Sequence, residues 1–93
     1  MRRLTDSELD NLQATCSGIA HAQWDGRIEV EQNHQGVLTI YSHSEDDEVE
    51  ATCTATPEGE WSGQTIYALR LDGEETPAYA TLVPTFIMGY LAL

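Results

Sequence analysis

The chain has 93 residues, 41% of them apolar, and sets sixteen Asp and Glu against four Arg and no Lys, a formal net charge of −12. That length holds one two-layer domain and excludes a second with its own interior, while the apolar content excludes a chain that stays disordered. The charge excludes direct binding to nucleic acid or to an anionic membrane and steers the molecule toward basic surfaces.

In chain order, the first signal is "LTDSEL" at residues 4–9. Thr5 and Glu8 are spaced as a capping box, with Leu4 and Leu9 as the hydrophobic staple across it, so a helix is predicted to start at Asp6. Leu9, Leu12, Cys16 and Ile19 recur at helical spacing and form its apolar stripe, with Asp6, Asp10, Gln13 and Ser17 turned elsewhere. Gly18 ends the helix or is tolerated inside it, which places the last residue between 17 and 22. Beyond "WDG" at 24–26 the period changes to two, and Ile28 and Val30 alternate with Arg27, Glu29 and Glu31 as a strand with one wet face. "NHQG" is a turn, and "VLTIYSH" at 37–43 completes an antiparallel hairpin.

The acidic run "HSEDDEVE" at 43–50 follows as a loop. "EVEATCTA" at 48–55 is the third strand, with Val49, Ala51, Cys53 and Ala55 on its inner face. "TPEGEWSG" is dense in turn formers, "QTIYALRL" at 64–71 is a fourth strand, and "LDGEE" turns the chain again. In the tail, residues 78–82 are a strand or linker, and Pro84 opens a short, mostly buried helix over 84–92. The fold class is α+β: an N-terminal amphipathic helix packed on an antiparallel β-meander of four or five strands, with a short C-terminal helix, all in one domain over residues 1–93.

Chemistry is sparse. His21, His34 and His43 fall on a helix end, a turn and a strand end, and no nucleophile elbow, zinc-protease motif or glycine-rich phosphate loop is present. Cys16 and Cys53 sit on apolar faces and are expected to be small core residues rather than a thiolate centre or disulfide framework. No catalytic residues are assigned, and the chain is expected not to be an enzyme. "HSEDDE" offers oxygen ligands for calcium or magnesium but lacks the D-x-D-x-D-G periodicity and distal Glu that gather ligands round one ion, so no metal or other cofactor is expected. The N-terminus has no apolar stretch behind its two arginines and no run is long enough to cross a bilayer; a reduced, cytoplasmic protein with no membrane contact is expected.

The carboxylates on strands carry the most information. Residues i and i+2 share a face about 6.8 Å apart, from a rise of about 3.4 Å per residue. Glu29 with Glu31 and Glu48 with Glu50 are therefore expected as ordered rows, at a step comparable with that between neighbouring phosphates. Glu45, Asp46 and Asp47 in the loop extend that field, and Asp6 and Asp10 on the helix form a second patch. Such a surface can occupy a nucleic-acid-binding groove, the partner's Lys and Arg replacing phosphate contacts with charge-assisted hydrogen bonds. Trp24, Trp61 or Tyr41 is a candidate apolar anchor beside it.

A short, Lys-free, acidic single domain with a capped helix before a small antiparallel sheet resembles the phage-encoded inhibitors of bacterial defence, in particular the anti-CRISPR proteins. The opening "LTDSELDNLQ", followed by Trp24, is similar to small phage proteins. The resemblance is of size, charge and layout, and assigns no individual residue a role. It implies a non-enzymatic inhibitor, acting in the host bacterial cytoplasm, that mimics nucleic acid and blocks DNA binding by a basic CRISPR-Cas complex. The alternative is a phage structural or assembly protein, or a self-associating dimer that uses the apolar segment "TFIMGYLAL". A divalent-ion buffer is a third reading.

Overall fold

Thr5 keeps an extended backbone and caps the first helix. Its hydroxyl accepts from the Glu8 N–H at 3.1 Å, and the Glu8 carboxylate accepts from the Thr5 N–H at 3.0 Å, closing the expected capping box. In the computed structural model, which describes residues 3–72 and 74–91, α1 spans Asp6–Trp24. The helix runs through Gly18, whose surroundings are open, and past the expected limit of residue 22. It stops at Asp25, which adopts the left-handed conformation and returns its N–H to the His21 carbonyl, a common way to end a helix.

Five strands follow: β1 (Arg27–Gln32), β2 (Leu38–His43), β3 (Val49–Trp61), β4 (Gln64–Leu71) and β5 (Ala78–Ala80). They form one antiparallel meander in the order β1-β2-β3-β4-β5. The C-terminal helix α2 spans Pro84–Leu91; the final residues of its expected range, 92 onward, lie outside the described residues. Some strand boundaries also differ from expectation. The last strand ends at Ala80 rather than 82, and β3 continues through "TPEGEW", where turn formers had suggested a loop. A register shift between Pro57 and Gly59 lets β3 stay paired with β4. The hairpin closes only at Ser62 and Gly63, both at positive φ, as a two-residue turn of the twist-matched kind requires.

Both helices cover one face of the sheet. Leu12, Cys16 and Ala20 of α1 meet Ile28, Leu38, Ile40, Cys53, Ala55, Tyr67 and Leu69 of the strands, and Ile87, Met88 and Leu91 of α2 complete the core. Leu4 and Leu9 pack partly buried against it, as the staple predicts. Gln13 and Ser17 were expected to turn away from the sheet, but they seal its first edge. The Ser17 hydroxyl donates to the Ile28 carbonyl at 2.8 Å and accepts from the Ile28 N–H at 3.0 Å, and Gln13 Oε1 accepts from the Val30 N–H at 2.8 Å. Those backbone groups point away from β2, and α1 supplies what a sixth strand would have supplied.

A candidate acidic interface at one end of the sheet

A meander puts alternate connections at the same end. The α1–β1, β2–β3 and β4–β5 connections therefore share one end of this sheet. Asp25 lies in the first of them; Glu45, Asp46, Asp47 and Glu48 in the second, with Glu50 just beyond; Asp72, Glu74 and Glu75 in the third. The Asp72 N–H donates to the Thr52 carbonyl at 2.8 Å, which holds the third connection against the start of β3. More than half of the sixteen acids thus collect at one pole.

The β2–β3 loop is tied down at its root. Ser44 and Glu48 bond across it, N–H to carbonyl at 2.8 Å, and the Asp47 N–H donates to the Ser44 carbonyl at 2.9 Å. Asp47 sits at φ 67, in the left-handed region that Asp tolerates better than most residues. Its Oδ1 receives both Nε and Nη2 of Arg27 at 2.8 Å. Arg27 Nη1 also lies 3.7 Å from Glu29 Oε2. Between these groups is His43, whose side chain is 8% exposed: its Nε2 is 3.2 Å from Glu29 Oε2 and its Nδ1 3.8 Å from Asp47 Oδ1. The Trp24 indole N–H donates to the His43 carbonyl at 3.1 Å, and a side chain at Gly26 would run into both that indole and that carbonyl. Arg27, His43 and Trp24 therefore form a clasp that holds the acidic loop on the sheet.

The expected site residues separate into groups. Glu45, Asp46 and Glu48 are exposed in the loop, and Glu50 is exposed on β3. Glu29 and Asp47 are engaged by the clasp. Glu31 lies on the sheet face opposite the helices, where Tyr41 O–H donates to its Oε2 at 3.4 Å; the Glu31 charge raises the Tyr41 pKa above its ordinary value. The expected Glu48/Glu50 row does not form. Glu48 precedes β3, and the pairing of Ser42 with Ala51 and of His43 with Val49 leaves Glu50 as the extra residue of a bulge. The same shift exposes Val49, which had been expected inside. Asp6 and Asp10 do not join the pole: Leu4 is bonded to Gln32 and Ser17 to Ile28, so α1 begins at the far end of β1. There the two acids border a shallow groove with Leu9, Gln13 and Val30.

Asp25, Asp72, Glu74 and Glu75 were missed, although the alternation of connections in a meander was enough to place them. The clasp was missed because Arg27 and His43 are far apart in sequence and meet only through the strand register, opposite one another on β1 and β2. Among the described residues, no group of three or more His, Cys, Asp or Glu is placed to hold a metal ion, and no helix is long and apolar enough to cross a membrane. Cys16 and Cys53 are fully buried, and burial pushes both thiols up to about 11. Of the candidate aromatic anchors, Trp24 and Tyr41 are half-buried, while Trp61 is 74% exposed at the β3–β4 hairpin tip. No protein-family profile, curated protein or solved structure matches the chain.

Proposed function

We propose that the protein is a non-enzymatic inhibitor that presents its acidic pole to a basic nucleic-acid-binding surface and blocks access of nucleic acid. The observation that carries this reading is the gathering of carboxylates from three connections at one end of the sheet, with the central loop clasped in place. Fixed carboxylates can replace several phosphates without ordering a flexible chain on binding, which lowers the entropic cost of association. The size, charge and layout that resemble phage-encoded anti-CRISPR inhibitors favour a CRISPR-Cas complex of the host cytoplasm as the partner. The alternative of a self-associating or phage assembly protein is less favoured, because Ile87, Met88 and Leu91 of the apolar tail are committed to the protein's own core.

The test is displacement. Bacterial proteins retained on immobilised DNA at low salt are challenged with the protein and with a variant carrying Glu45→Gln, Asp46→Asn, Glu48→Gln and Glu50→Gln. Release of a nucleic-acid-binding complex by the wild type and not by the variant supports the reading. No release, or equal release by both, contradicts it.

A further inference from the structure

Both helices pack on one face of the sheet, and no described element covers the other. The strand register identifies the side chains of this open face. Glu31, Thr39, Thr54 and Arg70 are in line across four strands, and Thr56 and Ala68 are in line with Tyr79 of β5. Toward the hairpin tip, Ile66 pairs with Gly59, and Gln64 pairs with Trp61, so Ile66 and Trp61 share the face with Tyr79. Tyr79 is 65% exposed and Trp61 74%. Large aromatics left in water over an uncovered sheet are a usual mark of an interaction surface.

The face is chemically graded. At one end it runs into the acidic pole, through Glu29, Asp72 and Glu50. Its centre is hydroxylated, and toward the hairpin tip it carries Tyr79 of β5, Ile66 of β4 and Trp61 of β3. Of the cations on it, Arg27 is already bound to Asp47 and Glu29, and Arg70 Nε is held by the Glu75 carbonyl at 3.4 Å. From the Tyr79 row to the Trp61 row is about 13 Å along the strands, and five strands span about 19 Å. A helix or extended segment of a partner fits that area.

We infer that the open sheet face is a docking surface for a basic protein segment with one apolar side, whose cations meet the acidic pole while its apolar side chains cover Tyr79, Ile66 and Trp61. This rests on the basic-partner reading and assigns the anchor that the charges alone lack, since binding energy concentrates in buried aromatic contacts more than in exposed charge pairs. Charge complementarity selects this occupant. A second copy would bring another net −12 against the same pole, and nucleic acid and anionic lipid are repelled for the same reason.

Two synthetic peptides of equal positive charge test the inference: an amphipathic Arg/Leu helix and an Arg/Gly/Ser chain. Their affinities are measured at low salt for the wild type, for a Tyr79→Ser/Trp61→Ser variant, and for the Glu45, Asp46, Glu48 and Glu50 variant described above. The wild type is expected to prefer the Arg/Leu peptide by about tenfold or more, the scale of one good aromatic contact. The Tyr79/Trp61 variant, whose melting curve should match the wild type because both side chains are exposed, is expected to lose that preference while binding the Arg/Gly/Ser chain as before. Equal affinity of the wild type for the two peptides overturns the inference, as does a preference that survives the double substitution. Failure of the acidic reading is separate: in that case removal of the loop carboxylates leaves binding of both peptides unchanged.

Discussion

Ser17 shows how one small side chain can settle a packing problem. Its hydroxyl serves both the N–H and the carbonyl of Ile28, two backbone groups that no strand could reach once α1 lies along β1. Ser17→Ala leaves both without a partner and is expected to cost about 1–3 kcal/mol of stability, the scale of an unsatisfied buried polar group; chemical denaturation measures it. The two thiols make a second residue-level prediction. Each has an ordinary value of 9.0 and is pushed up to about 11 by burial, so the fold favours the protonated thiol. Stability from this source is fully present below pH 9.0 and is lost as pH rises from there through about 11, because the unfolded chain releases these protons first. Melting temperature across that window is expected to fall less steeply in a Cys16→Ala variant than in the wild type. At neutral pH a thiol reagent should label neither cysteine until the protein unfolds. Labelling of the folded state at the rate of a free thiol would contradict the buried placement.

At the scale of elements, local signals were read well where the chemistry is local. The capping box at Thr5 and Glu8, the alternation over "RIEV", and the "QTIYALRL" strand needed only neighbouring residues, and the start of α1, β1 and β4 formed where those patterns placed them. The departures came from partners distant in sequence. "TPEGEW" carries Pro57 and Gly59, which read as a turn. Yet β2 begins only at Leu38, opposite Ala55, leaving Pro57 on a stretch of β3 that has β4 on one side and no β2 residue on the other, where proline costs a sheet little. Val49 is exposed instead of buried, and Glu50 is left without a register partner, because a bulge opposite Ser42 and His43 added one residue to β3, a shift that strand periodicity cannot reveal. In the candidate site, the loop carboxylates were legible from composition, while the clasp beneath them required the β1–β2 register. The interior strand β2 carries Ile40, fully buried. Ile40→Ala is expected to cost about 2–5 kcal/mol through lost burial and the cavity left behind. A loss below 1 kcal/mol, at the level of a surface substitution, would contradict its placement in the core.

At the scale of the molecule, the chain is polarised: one end of the sheet collects carboxylates and the opposite hairpin tip exposes Trp61. Affinity for a basic partner should therefore fall steeply with ionic strength, since exposed charges are screened within about 10 Å at 0.1 M salt. Neutralising Asp6 and Asp10, which lie away from the pole, should change that salt dependence less than neutralising Glu45 and Asp46. The central claim is that the acids act through fixed placement and not through total charge, and Arg27→Gln separates the two. It makes the net charge more negative, −13 in place of −12, while releasing Asp47 and the loop it anchors. In the displacement of a nucleic-acid-binding complex from immobilised DNA, the account predicts that the Arg27→Gln protein releases less of the complex than the wild type at equal concentration. Equal or greater release by the more negative variant would contradict it.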